Sequence, residues 1–399
     1  MSDHPRHAVI SGASIAGLST AFWLKRIGWD VTVIERAPAF RDGGQNVDLR
    51  GVARDVLRRM GLFDAVKAHN TTEEGTVLLK PDGEILTELP SEGPDGATAE
   101  LEILRGDLAE VLRDALPRDL NIIYDDVITR TDQKDGGVSI RTKAGRSLDA
   151  DLLIVAEGVR SSTRDMVFGN AVGKNDLGIT FVFGTIPRQE DDDRYWRWCN
   201  ITEGRQIHLR PDNHGTIRAM LGYYPGEDIT GMEDGDALAV VKDRYADAGW
   251  QAPRVLDGFD KSDDVYIDRL CQIEMDHWHK GRVVLVGDAG WCVTPLGGGG
   301  ASLALTGGYV LAAYLATHAD DHDAALEAYE DWMRPLVEDV QGLPPGLSAI
   351  AFPQSRTALT LRGAVMKLMT LAPFKPLTAK FTEVAETDRA LPEIPVRAA

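Results

Sequence analysis

The residues best suited to chemistry in this chain stand at Arg282-Val283-Val284-Leu285-Val286-Gly287-Asp288-Ala289, followed by Pro295 and the glycines Gly297, Gly298, Gly299 and Gly300. An apolar run closed by a carboxylate reads as a buried strand with an acid at its tip. A loop almost free of side chains then feeds an apolar helical stretch over residues 302–317. Backbone N–H groups at the start of such a helix, together with the positive end of its dipole, suit an electron-rich ligand. A reduced flavin ring is a ligand of that kind.

A second nucleotide signature opens the chain. His7-Ala8-Val9-Ile10 reads as a short buried strand, Gly12-Ala13-Ser14-Ile15-Ala16-Gly17 as a tight turn, and residues 18–27 as a helix. The dinucleotide fingerprint uses its first glycine for the turn, its second for backbone approach to pyrophosphate and its third for helix packing. Here Ser14 takes the middle place; its Cβ narrows the approach, while its hydroxyl is able to donate to a phosphate. Residues 30–34 form the next strand, and Glu35 at its end stands where the fingerprint wants an acid for ribose hydroxyls. A carboxylate there repels a 2′-phosphate, which points to FAD or NAD, and Arg36 reads as packing near the adenine.

The elements that must position these groups follow from pattern. Residues 51–60 look helical, residues 76–89 form a hairpin about Pro81-Asp82-Gly83, and residues 101–104 a strand. Arg105 then begins an amphipathic helix carrying Leu108, Val111, Leu112 and Leu116 on one face. At this strand-to-helix junction Arg105 reads either as a phosphate ligand or as a surface arginine. A strand over residues 121–127 and a meander precede Leu152-Leu153-Ile154-Val155-Ala156-Glu157-Gly158, an all-apolar strand of the parallel-sheet type. After Arg164 the texture changes: residues 179–186, 205–210 and 216–223 read as strands of a larger sheet. The chain returns to nucleotide-binding character near residue 280, and residues 324–340 are helical.

With 399 residues, 43% of them hydrophobic and 26% charged, the chain suits two domains of a globular enzyme. The N-terminal residues run directly into a strand and no uninterrupted apolar stretch reaches spanning length, so a cytoplasmic protein without stable membrane insertion is expected. Cys199, Cys271 and Cys292 lie far apart, with neither disulfide-framework nor metal-ligand spacing, and no metal is expected. A formal net charge of −19 disfavours nucleic acid as a partner. It also opposes the pyrophosphate of FAD, so binding must rest on helix N-termini and on particular arginines.

Taken in order, the Gly12 to Gly17 loop, Glu35-Arg36, Arg105, Glu157-Gly158 and Gly287-Asp288 with Pro295 and its glycines resemble the single-component FAD-dependent aromatic monooxygenases. That is the family of para-hydroxybenzoate hydroxylase, and the nearest branch is the one that inactivates tetracycline or modifies aromatic polyketides. The resemblance spans residues 7 to 340. It implies an α/β fold: a glutathione-reductase-like (Rossmann-type) FAD-binding domain, a second sheet-based substrate domain and C-terminal helices. The expected boundaries are 1–164 and 280–341 for the FAD-binding domain, with parts of 70–105 joining the substrate domain, 165–279 for the substrate domain and 342–399 for the C-terminal region.

By the same resemblance, Gly12, Ser14, Ile15, Ala16 and Gly17 surround the pyrophosphate of non-covalent FAD, and Glu35 takes the adenosine ribose. Arg105 lies near the central hydroxyls and phosphates, Val127 offers backbone to the adenine, and Asp288 holds the ribityl–pyrophosphate region. Pro295, Gly298, Gly299, Gly300 and Ala301 line the isoalloxazine. The segment Gly44-Gln45-Asn46-Val47-Asp48-Leu49-Arg50 resembles the stretch that passes over the flavin in the tetracycline-inactivating branch. It brings Gln45 to the cofactor and Asp48 to the ring's reactive edge, unless Asp48 merely stabilises a turn. Three positions depart from the family pattern: Ser14; Glu157, where the family has Asp; and Trp291, where many relatives carry a histidine. No histidine is assigned a catalytic role.

The implied chemistry is that of the cofactor: NAD(P)H serves as a transient co-substrate, and O₂ is captured as a flavin hydroperoxide that hydroxylates a planar phenolic or enolic small molecule. Alternation places Phe181 with Phe183, and Arg218 with Met220, on single sheet faces. They form a substrate wall if that face is turned to the flavin, and an ordinary core face otherwise. Met366 and Met369 either close the cavity or pack a helix. A monomer or homodimer is expected. The alternative functions are a flavin-dependent reductase of an isoprenoid-like lipid and a non-catalytic FAD-binding protein; a Trp196-Arg197-Trp198 halogenase motif is only superficial.

Overall fold

The computed structural model describes residues 5–71, 73–90, 101–134, 136–344, 346–369 and 385–395. Among these, a six-stranded sheet runs in the order His279–Lys280, Val283–Leu285, Leu152–Val155, His7–Ser11, Asp30–Ile34 and Asn121–Ile123. Every pairing is parallel except that of the first two strands. The central strands are apolar and buried on both faces, as strands between helical layers must be. All their C-terminal ends point the same way, so Gly12, Glu35, Glu157 and Gly287 meet along one edge. Ligands bind at that edge in open α/β sheets.

The helix Ile15–Arg26 lies against the helix Gly300–Thr317, and Gly308 allows the contact: a Cβ there would stand 2.8 Å from both Ser19 Oγ and Thr20 N. Gly300–Thr317 is also the one described helix long and apolar enough to cross a membrane, but it is mostly buried within this layer. The helix His322–Gln341 packs on its far side and carries an interior proline, Pro335. Proline cannot donate to the carbonyl four residues back. Arg389 Nη1 supplies that missing donor, bonding Asp331 O at 2.8 Å, and so ties residues 385–395 to the helix.

The second body is a seven-stranded sheet in the order Tyr266–Glu274, Gly173–Pro187, Thr216–Tyr223, Arg205–Pro211, Tyr195–Ile201, Gly75–Leu79 and Ile85–Pro90. It is antiparallel except where Tyr195–Ile201 runs parallel to Gly75–Leu79. On one face Val182, Ile207, Leu209, Leu221 and Tyr223 meet the helices Asp234–Tyr245 and Ala252–Phe259 in a closed core. Each such side chain contributes about 1.5–3 kcal/mol of burial. The other face bears aromatic and polar side chains and is only partly covered.

One local expectation needs revision, and several elements had no counterpart in the sequence pattern. The strand expected over 121–127 stops at Ile123, because Asp125 adopts φ 55° and the chain turns back to bond Glu35 and Ala37. Strand Tyr195–Ile201 and the two helices of the second core carried no clear signal in the sequence. Of the C-terminal region, residues 345, 370–384 and 396–399 and the side chain of Met369 lie outside the described residues.

Candidate active site

The turn after the first strand is fixed by backbone crowding. Gly12 has φ 108°, and a Cβ there would lie 2.3 Å from Ala156 O; at Gly17 it would lie 1.9 Å from Gly12 O. Ser14 is the N-cap of the following helix but makes no capping bond, and the first turn holds no acid. The N–H groups of Ile15, Ala16 and Gly17 therefore open toward the sheet edge without a side-chain partner, as an anion site requires. Ser14 Oγ instead accepts from Arg105 Nη1 at 3.0 Å. The middle position of the fingerprint thus holds the arginine that sequence placed near the phosphates.

Arg105 begins the helix Arg105–Asp114, and its Nη2 also donates to Gly43 O at 2.5 Å. Gly44 allows this, since a Cβ there would stand 2.5 Å from Arg105 Nε, and the Gln45 carbonyl accepts from Arg105 N at 2.9 Å. Burial lowers the Arg105 pKa against the opposing pull of Tyr266. Among the described residues no carboxylate pairs with this guanidinium. A half-buried cation without a counter-ion beside an uncapped helix N-terminus fits a pyrophosphate.

Glu35 accepts from Ala13 N at 2.7 Å and Ala37 N at 2.9 Å, which holds the carboxylate beside the turn. Arg36 is exposed. Val127 sits on the loop beside Glu35, with its N–H donated to Asp126 Oδ1 and its carbonyl taken by Lys143 N. Only the carbonyl's second lone pair remains for a base. Glu157 accepts from Ser11 Oγ at 2.5 Å, Ser161 Oγ at 2.7 Å, Thr163 Oγ1 at 2.6 Å and Thr163 N at 3.1 Å. Its extra methylene lets it span from the first strand to the helix Ser162–Phe168, a reach an aspartate would lack.

At the other nucleotide loop, Gly287 (φ 69°) lies against Ala16, so both loops touch. Asp288 is solvent-reachable yet walled by protein, the mark of a side chain on the floor of a recess. This desolvation, with the nearby charge of Asp268 on the second sheet, raises its pKa to about 6. Pro295 lies in the short helix Thr294–Gly297; Gly298 and Gly299 follow with φ 66° and 69°, and the helix from Gly300 begins without a side-chain cap or a first-turn acid. Ala301 is half-buried in that first turn. Two uncapped helix N-termini, a cleft carboxylate and crowded glycines between them fit FAD. Trp291 is turned away into the core, 4.5 Å from the Trp278 ring.

The partly covered face of the seven-stranded sheet carries Tyr266, Phe183, Met220, His208 and Trp198 across neighbouring strands, the pairs Phe183/Tyr266, Phe183/Met220, His208/Met220 and Trp198/His208 being in register. Phe183 stacks on Tyr266 at 4.8 Å, and Phe181 meets Phe183 edge-on at 5.7 Å. Met220 and Leu296, from the glycine-loop side, both pack on this Phe cluster. This face is therefore the one turned to the Pro295 loop. Arg218 lies on it too but is committed: Nε to Asp212 at 3.0 Å, Nη1 to Thr185 at 2.7 Å and to Asp264 at 3.2 Å. Met366 is only half-buried.

Trp196 and Trp198, noted in the sequence only for a superficial halogenase motif, and His208, which no motif marks, also belong to this face. Trp196 and Trp198 stack at 5.5 Å, and His208 lies 4.7 Å from Trp198. Trp196 Nε1 donates to His208 Nδ1 at 3.0 Å, so the neutral ring carries its proton on Nε2 and donates it to Gln206 Oε1 at 2.9 Å. Burial, reinforced by Arg210 and Arg362, holds the His208 pKa well below the ordinary imidazole range. The available signal was Trp-x-Trp alternation opposite Gln-x-His-x-Arg.

Asp48 ends the short strand Asn46–Asp48, which pairs with Glu102–Leu104. Arg50 Nη2 holds its carboxylate at 3.1 Å, and its carbonyl accepts from Ser302 Oγ at 3.4 Å, beside the N-terminus of the helix from Gly300. Between this small sheet and the large one, Arg210 bridges Glu73 at 3.0 Å and Glu102 at 3.1 Å. Burial alone would lower the Arg210 pKa; the two glutamates overcome it. Burial pushes the Glu73 pKa well up despite Arg210. One oxygen of each glutamate, Glu73 Oε1 and Glu102 Oε2, is buried without a partner.

Fold and site together define a flavin-binding α/β enzyme whose second sheet faces the flavin loop. The chain belongs to the FAD binding domain family, whose pattern matches residues 6–342. It is 34% identical over 394 residues to the flavin-dependent monooxygenase eupH of Phoma sp, covering 89% of this chain and 90% of that protein. An uncharacterized protein of Mycobacterium tuberculosis is 35% identical over 341 residues, 84% of this chain and 91% of its own. The crystal structure of tetracycline destructase Tet(51) superposes with a TM-score of 0.81 at 27% identity, covering 98% of this chain and 99% of that one. The protein is a flavin-dependent monooxygenase that uses FAD and acts on a small molecule with O₂.

Proposed function

We propose that the enzyme hydroxylates a planar phenolic or enolic polycycle of the tetracycline or aromatic-polyketide type, with NAD(P)H as reductant. The observation that carries this reading is the broad, partly open aromatic face of Trp196, Trp198, Met220, Phe183 and Tyr266 opposite the Pro295 loop. Flat ligands gain most from such a face, through stacking and area burial. The likeness to a tetracycline destructase supports the same class. In this reading residues 1–164 and 280–341 form the FAD-binding domain and 165–279 the substrate domain, with the hairpin 75–90 joined to the latter.

Bound FAD supplies hydride acceptance from the nicotinamide and activation of O₂. The chain's own residues do the rest. Glu35, Ser14, Arg105 and the N–H groups of Ile15, Ala16 and Gly17 hold the adenosine and pyrophosphate, with Asp288 on the ribityl side. The helix from Gly300 stabilises negative charge on the ring by its N-terminal N–H groups. Asp48, fixed by Arg50 and tied through its carbonyl to Ser302 at the start of that helix, would lie toward the bound ring. Phe181, Phe183 and Met220 keep water from the reacting face, while Arg218 braces the end of that face through its two aspartates.

Mass spectrometry under labelled O₂ with the NAD(P)H-fed enzyme tests this: a polycyclic product heavier by one labelled oxygen is expected. Clean labelling of a monocyclic phenol with none in any polycycle moves the enzyme to simple phenols. Turnover that needs no O₂ favours the reductase, and bound FAD without NAD(P)H turnover favours a non-catalytic protein.

A further inference from the structure

The C-terminal segment is seated on the aromatic face by defined contacts. Asn200 Nδ2 and Gln206 Nε2 both donate to Ala351 O at 2.7 Å, and Phe352 is fully buried against Phe181 and Tyr224. The chain of donors Trp196, His208, Gln206 therefore ends on the backbone of this segment. From there the helix Arg356–Met369 crosses toward the hairpin, where Gly363 lies so close to Leu86 that a Cβ would stand 3.2 Å from its side chain. That approach brings Arg362 over the Trp198 ring, 5.3 Å from its centre.

Two donors at this point are unmet. Among the described residues, Arg362 has the Trp198 ring as its neighbour and no carboxylate or carbonyl partner, and burial lowers its pKa with nothing opposing. Trp198 Nε1 is buried and bonds nothing. The other charged groups near the face are spoken for: Arg210 by Glu73 and Glu102, Arg218 by Asp212 and Asp264. A half-buried guanidinium and a buried indole N–H, both unsatisfied over one aromatic platform, call for an acceptor that carries negative charge.

We propose that Arg362 and Trp198 form a specificity site for an anionic group, a carboxylate or an enolate, on the edge of the flat substrate. The stacked Trp196, Trp198 and His208 hold the rings while Arg362, carried by the terminal helix, reads the charge. This rests on the polycycle reading for its ligand but is tested by binding alone.

The FAD-loaded enzyme is titrated with 3-hydroxy-2-naphthoate and with 2-naphthol, followed by the change in the flavin visible spectrum. The acid is expected to bind at least about tenfold more tightly, as a charge-assisted contact implies. Arg362→Gln should abolish the preference by weakening the acid about ten- to hundredfold while leaving 2-naphthol and FAD content unchanged. Arg362→Lys should keep part of the preference, and Trp198→Phe should weaken the acid more than the naphthol. Equal binding of the two probes, no binding of either, or a preference that survives Arg362→Gln overturns the proposal. An enzyme that prefers the acid through Arg362 but labels no polycyclic product keeps this site and loses the proposed reaction.

Discussion

The carboxylates at the strand ends and those between the two sheets are held in opposite ways. Glu35 and Glu157 sit where parallel backbones converge, and each is met by donors: two N–H groups for Glu35, three hydroxyls and an N–H for Glu157. Glu73 and Glu102 share one arginine and leave an oxygen each without a partner, although Glu102 also accepts from Asn46 and Thr71, while the charge of Asp268 helps to raise the pKa of Asp288. The edge of a parallel sheet is rich in unpaired donors, whereas a seam between two sheets has few. The nucleotide end is therefore a rigid frame made mainly of backbone, and the seam is a region where burial raises the pKa of Glu73 and Asp268 and side chains await a ligand.

The largest effect should come from breaking the frame. Gly17→Val places carbon where Gly12 O already stands, and Gly12→Ala adds a clash with Ala156 O to a left-handed conformation. Strain and overpacking together cost more than about 3 kcal/mol. Neither variant should be recovered as a yellow protein with a cooperative melt; a variant that retains FAD with an unchanged melting temperature would show that this turn is not the frame.

Next is Glu157. Its removal as Glu157→Ala leaves several partly buried donors unmet and should cost about 2–3 kcal/mol of stability in urea unfolding of the apoprotein. Glu157→Asp is expected to be the milder change but still destabilising, because the shorter arm gives up Ser11. If Asp proves neutral, the extra methylene has no structural role.

In the proposed site, Glu35→Ala and Arg105→Ala are expected to act on the cofactor more than on the fold. Each should weaken FAD about ten- to hundredfold in a flavin titration, the worth of a charge-assisted hydrogen bond. Arg105→Ala is expected to be the larger of the two, because it also frees Ser14 Oγ and Gly43 O. Wild-type affinity in both variants would remove these residues from the FAD site.

The same contrast explains what the sequence made legible. The strand, turn and helix over residues 7–26, the acid at Glu35 and the Gly287 to Gly300 loop were readable because short-range backbone geometry dictates glycine, a small residue or an acid there. The aromatic face was not. Tyr195–Ile201 alternates Trp196 and Trp198 with Arg197 and Cys199, so neither face reads as plainly apolar, and its orientation is settled by parallel pairing with Gly75–Leu79 far back in the chain. Alternation paired Phe181 with Phe183 and Arg218 with Met220, but the register that puts both pairs on one face, and the aspartates Asp212 and Asp264 that hold Arg218, are defined only by the folded sheet. Arg362 lies on a helix whose seat depends on Ala351 and Phe352, contacts that no local pattern announces.

The smallest effect is expected at the seam, and it carries the sharpest sign. Burial raises the Glu73 pKa well above its ordinary 4.5 even though Arg210 pulls it down. A carboxyl that binds its proton more tightly folded than unfolded contributes most at low pH; above 4.5 the unfolded chain releases the proton first, and this contribution fades as pH rises toward the folded pKa. Glu73→Gln mimics the protonated form. It should therefore change stability little at pH 5 and leave the variant progressively more stable than wild type as the pH is raised, in parallel melts of the two proteins. Arg210 keeps Glu102 as its partner throughout. A variant that is instead destabilised increasingly with rising pH would mean that Glu73 is ionised and paired in the native state, and the two sets of carboxylates would then differ in geometry alone.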